Sequence, residues 1–495
     1  MKLILSLFTF LFLCAPEASC PPDRPVSQGN ADRIVQLKRQ VVGIKQVVSK
    51  AAYESTGTVQ KSGFLVDKKR GWILTTVAPV GLGPVVSTYE VTFEGGRKAP
   101  AKSLYKDPLF NIQVLQVQAK DVPSDLPEDI LAFREVGPGL EEPVLLLGKN
   151  EEQLMIQQGV VASVHESRGL VTAYQSVRVS LNTPGSQGQQ GGASFDKDGF
   201  FVGIIAQADQ TFASLIWPSY VKEVLSALRS GTTPPRVRIV GARVETQSLA
   251  DAVNYLGLPP KHLQNLLEKY PQALAHGLVV TESAAEASLE AGDVVVAIDG
   301  KEVGFSLAEF HNILAQAKDG KVVCAIVRQE KELTVEVTIQ DVWPHVIKRM
   351  ILFGGALFYE SDLLMQALYG VPPKSLMASK ALPGSVFSGV LPAFPTRSDP
   401  TSIAVISKMA ELSMINLDDL KKAIPTLGGY PRFAVWFKDY GASVSGGLLQ
   451  VLRVLQVGQV DFLASTSIPE ELVWSDQKLA WESNQILIPN QKCVI

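Results

Sequence analysis

Between residues 32 and 229 the apolar positions fall in short runs bounded by glycines and charged residues, as at 62–67, 72–75, 89–93, 144–147 and 159–162. Runs of that length, rich in β-branched residues and punctuated at close intervals, predict many short strands and an all-β sandwich or barrel. The apolar spacing over 220–228 is helical and closes the region. Gly231-Thr232-Thr233-Pro234-Pro235 then reads as a linker.

Beyond the linker the period alternates between helix and strand. Helices are expected at 249–256, 261–269 and 307–317, strands at 277–280, 294–298 and around Cys324 and Val335, and a turn at Asp299-Gly300. Asp341-Val342-Trp343-Pro344 marks a second boundary, after which a similar order recurs from 353 to 437, with a helix at 417–424 before a strand at 432–437. A weakly duplicated α/β module accounts for both halves. The expected organisation is a signal peptide at 1–20, a flexible stretch at 21–31, a β domain at 32–230, α/β modules at 236–342 and 346–440, and an extension of unknown role at 441–495.

The chain has 495 residues, 46 basic against 49 acidic, for a formal charge of −3. That length suits three to four domains, and the balance offers no electrostatic footprint for nucleic acid. Only four cysteines occur, Cys14, Cys20, Cys324 and Cys493, in no metal-like or redox-like spacing, so neither a metal nor a cofactor is expected. Lys2, the apolar stretch 3–13 and Ala18-Ser19-Cys20 read as a secretory leader, which predicts an exported, extracytoplasmic protein of the periplasm. Ala18 and Ser19 fit a lipidation signal at Cys20, but Glu17 does not, so membrane attachment is expected only if Cys20 is lipidated. Five histidines are few for an enzyme that depends on imidazole.

Residues 55–229 resemble the trypsin-like domain of the HtrA/DegP serine proteases. The likeness rests on Ser62-Gly63-Phe64, Gly95-Gly96-Arg97, Lys106-Asp107-Pro108, Gly159-Val160-Val161-Ala162-Ser163, Gly191-Gly192-Ala193 and Pro218-Ser219, all in the family's order. It implies a trypsin-like double β-barrel, so that the whole fold is mostly β with α/β modules. It also implies where a catalytic triad should stand, and there this chain departs from the family. The general base falls on Ala78 in Thr75-Thr76-Val77-Ala78, the orienting carboxylate on Asn111 in Asn111-Ile112-Gln113-Val114, and the nucleophile on Gln190 in Gly188-Gln189-Gln190-Gly191-Gly192.

A hydroxyl nucleophile needs a positioned base, and between residues 31 and 235 the one histidine is His165, in the wrong element for that role and expected to be a solvated strand-end residue. Ser186 and Ser194 flank the Gln190 loop without a base beside them. Gly188, Gly191 and Gly192 leave two alternatives open: a loop that still presents N–H donors to a peptide, or one that needs glycine only for a tight turn. No Gly-x-Ser-x-Gly, His-Glu-x-x-His or phosphate-binding loop is present.

Residues 237–340 resemble a PDZ domain, a module that adds a peptide to a sheet edge and holds its carboxylate in a backbone nest. The resemblance places the carboxylate loop at Ile239, Val240, Gly241 and Ala242, with Ala291-Gly292-Asp293 and Ile298-Asp299-Gly300 fitting the pattern. The longer insert at 249–275 is similar to the first PDZ of the large tandem HtrA-like proteases of yeast and plants. Gly355, Ala356, Leu357 and Phe358 would form the corresponding loop of a second PDZ, although Met409-Ala410-Glu411 replaces the usual Asn-Gly turn. Together these imply a pseudo-protease that binds unfolded segments or protein C-termini as chaperone, adaptor or scaffold in envelope quality control, as a homo-oligomer or with an active HtrA paralogue. An active endopeptidase of the HtrA type and a regulatory subunit of such a paralogue are the alternatives.

Overall fold

The computed structural model describes residues 28–486 apart from 52–56, 78–84, 108, 129–130, 135–136, 151, 169–172, 185–188, 233, 235–237, 270–275, 284–286, 342–346, 362–370, 379–384, 389, 392–402, 429, 431, 446–447, 462–468, 476–477 and 479. The leader read at 1–20, Cys20, Ala78 and Gly188 therefore lie outside the described residues.

The short apolar runs become two closed barrels. The first is built from β1 (Val41–Ala51), β2 (Gly57–Asp67), β3 (Trp72–Thr75), β4 (Val85–Thr92), β5 (Lys98–Asp107) and β6 (Ile112–Val117) in the order β1-β2-β3-β6-β5-β4. The second uses β7 (Pro143–Asn150), β8 (Gln153–Arg168), β9 (Tyr174–Leu181), β10 (Ala193–Asp196), β11 (Phe201–Ala208) and β12 (Phe212–Ile216) in the order β10-β11-β12-β9-β8-β7. Alternation along each strand sends one set of side chains inward and the other out. Val42, Ile44, Leu65, Ile73, Val91 and Leu115 fill the first barrel, and Leu146, Val161, Val177, Val179, Ile205 and Leu215 the second. The outward set, including Phe64, Leu74, Val114, Phe195, Phe201 and Ile204, meets between the barrels in a separate core.

Two helices cover that middle core. α1 (Gln28–Arg39) contributes Leu37, and residues 28–31, expected to be flexible, belong to it. α2 (Pro218–Ser230) starts with Pro at its first position, buries Tyr220, Val221, Val224 and Leu225, and ends at Gly231, whose φ of 70° supplies the left-handed cap.

The third unit is an antiparallel sheet of β14 (Ala242–Ser248), β15 (His276–Ser283), β16 (Val294–Ile298), β18 (Lys321–Arg328) and β19 (Lys331–Thr338) in that order, with β17 (Lys301–Glu302) on β16. A separate pair joins β13 (Arg238–Ile239) to β20 (Gln340–Asp341). α3 (Leu249–Tyr255) and α4 (Pro260–Lys269) form the insert, and α5 (Leu307–Gln316) is capped by Ser306, whose hydroxyl accepts from the Glu309 N–H.

The fourth unit holds β21 (Arg349–Phe353), β22 (Ala356–Glu360), β23 (Leu376–Ala378), β24 (Ile403–Met409), β25 (Leu412–Ser413), α6 (Leu417–Leu427), β26 (Arg432–Ser445), β27 (Leu448–Asp461), β28 (Glu470–Ser475) and β29 (Ala480–Gln485). Its sheet runs β27-β26-β24-β23-β22-β21-β28-β29, so strands from the stretch 441–495 enter at both ends. Glu471 of β28 is clamped by Arg349 of β21 at 2.6 Å and Lys421 of α6 at 2.7 Å.

Candidate functional site

Of the three positions that the resemblance assigns to a triad, Asn111 and Gln190 lie among the described residues. Asn111 sits in the turn from β5 to β6. Asp107 builds that turn: its Oδ1 accepts from the N–H groups of Leu109 at 2.9 Å and Phe110 at 3.0 Å. Asn111 follows with φ 58°, a left-handed conformation that asparagine tolerates better than most side chains. Burial pushes the Asp107 carboxyl up to about 6, against the two backbone hydrogen bonds and the Tyr105 hydroxyl, which favour its ionised form. A carboxyl raised in the fold holds its proton more tightly there than in the unfolded chain, so its contribution is complete below about pH 4 and is lost as pH rises through about 6. Asp107→Asn keeps the Oδ1 acceptor and removes that dependence. The stability of the natural chain relative to this variant should fall by about 3 kcal/mol at most between pH 4 and 7 in urea titrations, and a constant difference would refute the burial argument.

The Gln190 loop of the second barrel meets the first barrel at Ser62. The Gln190 carbonyl accepts from Ser62 N–H at 2.8 Å, and its side-chain Nε2 donates to the Ala206 carbonyl at 2.8 Å. Ser62 is the hub of the seam: its carbonyl accepts from Thr75 Oγ1 at 2.7 Å and its hydroxyl meets the Lys149 backbone N–H at 2.7 Å. The N–H donors expected of Gly191 and Gly192 are committed inside the fold, Gly191 to the Ile205 carbonyl at 2.8 Å and Gly192 to that of Gln189 at 2.9 Å. What these residues supply is close approach. A Cβ on Gly191, where φ is 85°, would lie 2.3 Å from Ser62 O and 2.4 Å from Thr75 Oγ1, and one on Gly192 2.2 Å from Leu147 O.

Of the two serines flanking the Gln190 loop, Ser186 lies outside the described residues. Ser194 is buried within β10. Cys324 is buried in β18, and burial pushes its thiol up to about 12. His165 is not solvated, as its strand-end position suggested. It is buried on β8, stacked on His276 of β15 with ring centroids 4.7 Å apart and edge-on to Phe305 at 4.9 Å.

That stack belongs to a contact between the second barrel and the third unit which the sequence did not disclose. Ala173, just before β9, joins the third unit's core beside Val240, Val244 and Phe310. Thr246 N–H on β14 donates to Ser167 Oγ at 2.8 Å. Gln175 Oε1 accepts from Ser306 Oγ at 3.3 Å and from Ala308 N–H at 3.4 Å. Tyr220 lies 2.9 Å from His311 Nδ1, and Phe110 packs on both rings at 4.5 and 4.9 Å. Burial holds His311 down to about 3, so the ring is neutral, and its tautomer sets which of Nδ1 and the Tyr220 hydroxyl donates. The turn carrying Asn111 is thus braced through Phe110 by α5.

In the loop expected to nest a carboxylate, Ile239 and Val240 are buried and Gly241 adopts φ 67°, with its Cβ position open except for Ala287 at 3.6 Å. Ala242 begins β14, the edge of its sheet, and Ser167 already occupies part of that edge. The second such loop is corrected. Gly354 and Gly355, at φ 57° and 79°, make a two-residue hairpin that pairs Phe353 with Ala356. Ala356, Leu357 and Phe358 are buried in β22, which pairs with β21 from Ala356 to Tyr359 and with β23 from Phe358 to Glu360. A Gly-Gly pair between apolar runs is itself a hairpin signal and was the clue available.

A family model described as a trypsin-like peptidase domain matches residues 61–204. The "Pro-apoptotic serine protease NMA111" of Eremothecium gossypii is 26% identical over 370 residues, covering 71% of this chain and 36% of that protein. An uncharacterized protein of Rickettsia prowazekii is 33% identical over 140 residues, covering 28% of this chain and 72% of its own length. The solved structure "HtrA-type protease AlgW with tripeptide" aligns at 18% identity and a TM-score of 0.44 over 63% of this chain and 96% of that one. The chain spans about a third of the length of the fungal relatives, whose own shares are 36%, 35% and 35%. Those relatives match 71%, 69% and 73% of this chain and are eukaryotic proteins, which overturns the periplasmic location expected from the leader. With its two closed barrels, its trypsin-like peptidase domain and these relatives, the chain belongs to the HtrA-like trypsin-fold proteases.

Proposed function

We propose that this chain is a catalytically silent HtrA-like protein that binds extended polypeptide segments or C-termini instead of hydrolysing them. The observation that carries this reading is Gln190. A carboxamide offers no nucleophilic oxyanion at neutral pH, and here its Nε2 donates to the Ala206 carbonyl while the residue's backbone carbonyl accepts from Ser62 N–H. Residues 31–235 contain one histidine, His165, and that ring is packed against His276 and Phe305 of the third unit. Without a nucleophile and its base, a trypsin-type site keeps only the roughly 10³–10⁴-fold acceleration that binding and oxyanion stabilisation provide.

Binding is assigned to the third, PDZ-like unit. Gly241 supplies the left-handed turn and open Cβ position that a converging amide nest needs, and β14 lies at the sheet edge. Capture of a peptide along β14 must displace Ser167 from Thr246. Incubation of the purified chain with casein is expected to give no cleavage above a heat-inactivated sample. Cleavage that Gln190→Ala abolishes would sink the reading. Retention of peptides with free C-termini by the full chain, lost on Gly241→Val, would support the assignment to the third unit.

A further inference from the structure

Two of the chain's five histidines meet where the second barrel touches the third unit. His165 stands on β8 where the register with β9 shifts between Ser163 and Glu166, and His276 opens β15 opposite Ser248 of β14. Their rings lie 15° from parallel with centroids 4.7 Å apart, and Phe305 stands edge-on to His165. An imidazole N–H lies in its ring plane, so rings stacked this way do not point a proton at each other. His165 is 6% exposed and His276 half-buried, so charge gained here is poorly hydrated.

The acids around the stack are engaged elsewhere. Glu166 of β8 pairs with Arg178 of β9 at 3.2 Å, Glu245 of β14 with Arg243 at 2.6 Å, and Glu302, close to Phe305 in the chain, with Lys269. Asp251 and Glu309 lie in the first turns of α3 and α5, and Arg168 ends β8. The adjoining stretches 169–172 and 270–275 hold Tyr270 as their one ionisable residue. His311, the other histidine of this contact, differs from the stacked pair. Burial holds it down to about 3, so it stays neutral between about pH 5 and 8, where imidazole ordinarily gains its charge.

We propose that the His165–His276 stack is an acid-sensitive latch: neutral rings hold β8 against β14, and charge on both parts them, with the Tyr220–His311 contact as the fixed end. Parting releases the Thr246 N–H from Ser167 Oγ and uncovers β14 at that point. The latch stands on this contact alone. Its use, capture of peptides promoted by acid, rests on the reading of the third unit as the binding unit.

The test compares the full chain with His165→Gln and His276→Gln at pH 7.5 and 5.5. Amide exchange is read relative to the unstructured rate at each pH. Thr246 protection should fall about tenfold in the natural chain, since a proton excluded from the closed form is worth up to about tenfold per pH unit. The Ala308 amide, beside Gln175 at the fixed end, should keep its protection. Each variant should hold Thr246 protection at both pH values. A fluorescein-labelled decapeptide with a free C-terminal valine, ionised throughout this range, should bind the natural chain about tenfold more tightly at pH 5.5 and each variant equally at both. Constant Thr246 protection in the natural chain, or the same loss in both variants, would overturn the latch. If melting curves show one variant unfolded, the other decides. Loss of protection without tighter binding would uphold the latch and overturn the assignment of binding to the third unit.

Discussion

Gly191→Ala is expected to cost the chain more than about 3 kcal/mol, enough to leave a marginal domain largely unfolded at 37 °C. Two effects add. At φ 85° an alanine adopts a conformation that costs about 1–2 kcal/mol for any residue with a Cβ. Its methyl would also stand 2.3 Å from Ser62 O and 2.4 Å from Thr75 Oγ1. Neither atom can step aside cheaply: the first is backbone, and the second is held to the same carbonyl at 2.7 Å. The control is Gly95→Ala. Gly95 has a φ of 75°, and nothing lies within 4 Å of its Cβ position, so it pays for the backbone alone. Urea unfolding of both variants separates the terms. Equal losses would mean that the seam tolerates a methyl and that closeness of the barrels is not what requires glycine at 191.

This bears on why the Gly191-Gly192 pair follows Gln190. In an active protease such a pair reads as part of the reactive loop. Here Gly192 would meet Leu147 O at 2.2 Å, and Gly148 would meet Gln189 Cα at 2.7 Å, so the loop is pinned from both sides. Contact between barrels requires the same residues whether or not chemistry is done there.

How much of this was legible depended on the range of the interaction concerned. Runs such as 72–75 and 294–298 coincide with β3 and β16, because alternation and turn residues act within a few positions. Asn111 and Gln190 each lie in a short motif, and only the resemblance gives those motifs a meaning. The brace of Phe110, Tyr220 and His311 was not, since it joins residues 110 and 201 positions apart and His311 looks from sequence like one polar residue on an amphipathic helix. The pairing of β28 with β21 is a similar case: Glu471 gives no local sign that it will meet Arg349. Residues 355–358 misled because the family pattern outweighed a plain two-glycine hairpin.

Lys61 is the largest departure from local expectation, and its titration should be measurable. It is 1% exposed inside the first barrel, on β2 opposite Ile44. Its Nζ donates to the Thr76 carbonyl at 2.5 Å and to Gln113 Oε1 at 3.1 Å, and lies 6.0 Å above the Tyr89 ring. None of these partners carries a negative charge, so burial is uncompensated and lowers the amine to about 7, with the nearby charge of Lys106 acting in the same direction. Between about pH 7 and 10.5 the unfolded chain then holds a proton that the folded chain lacks, and stability rises with pH across that window. Below about 7 both states hold it and the slope vanishes. Lys61→Met fills the same space and titrates nowhere, although it leaves Thr76 O and Gln113 Oε1 without this donor at a constant cost of about 1–3 kcal/mol each. The difference in unfolding free energy between the natural chain and the variant should therefore climb from pH 7 to 10, at up to about 1.4 kcal/mol per pH unit, and be flat from pH 5 to 6. A difference flat throughout would mean that the barrel holds a charged amine.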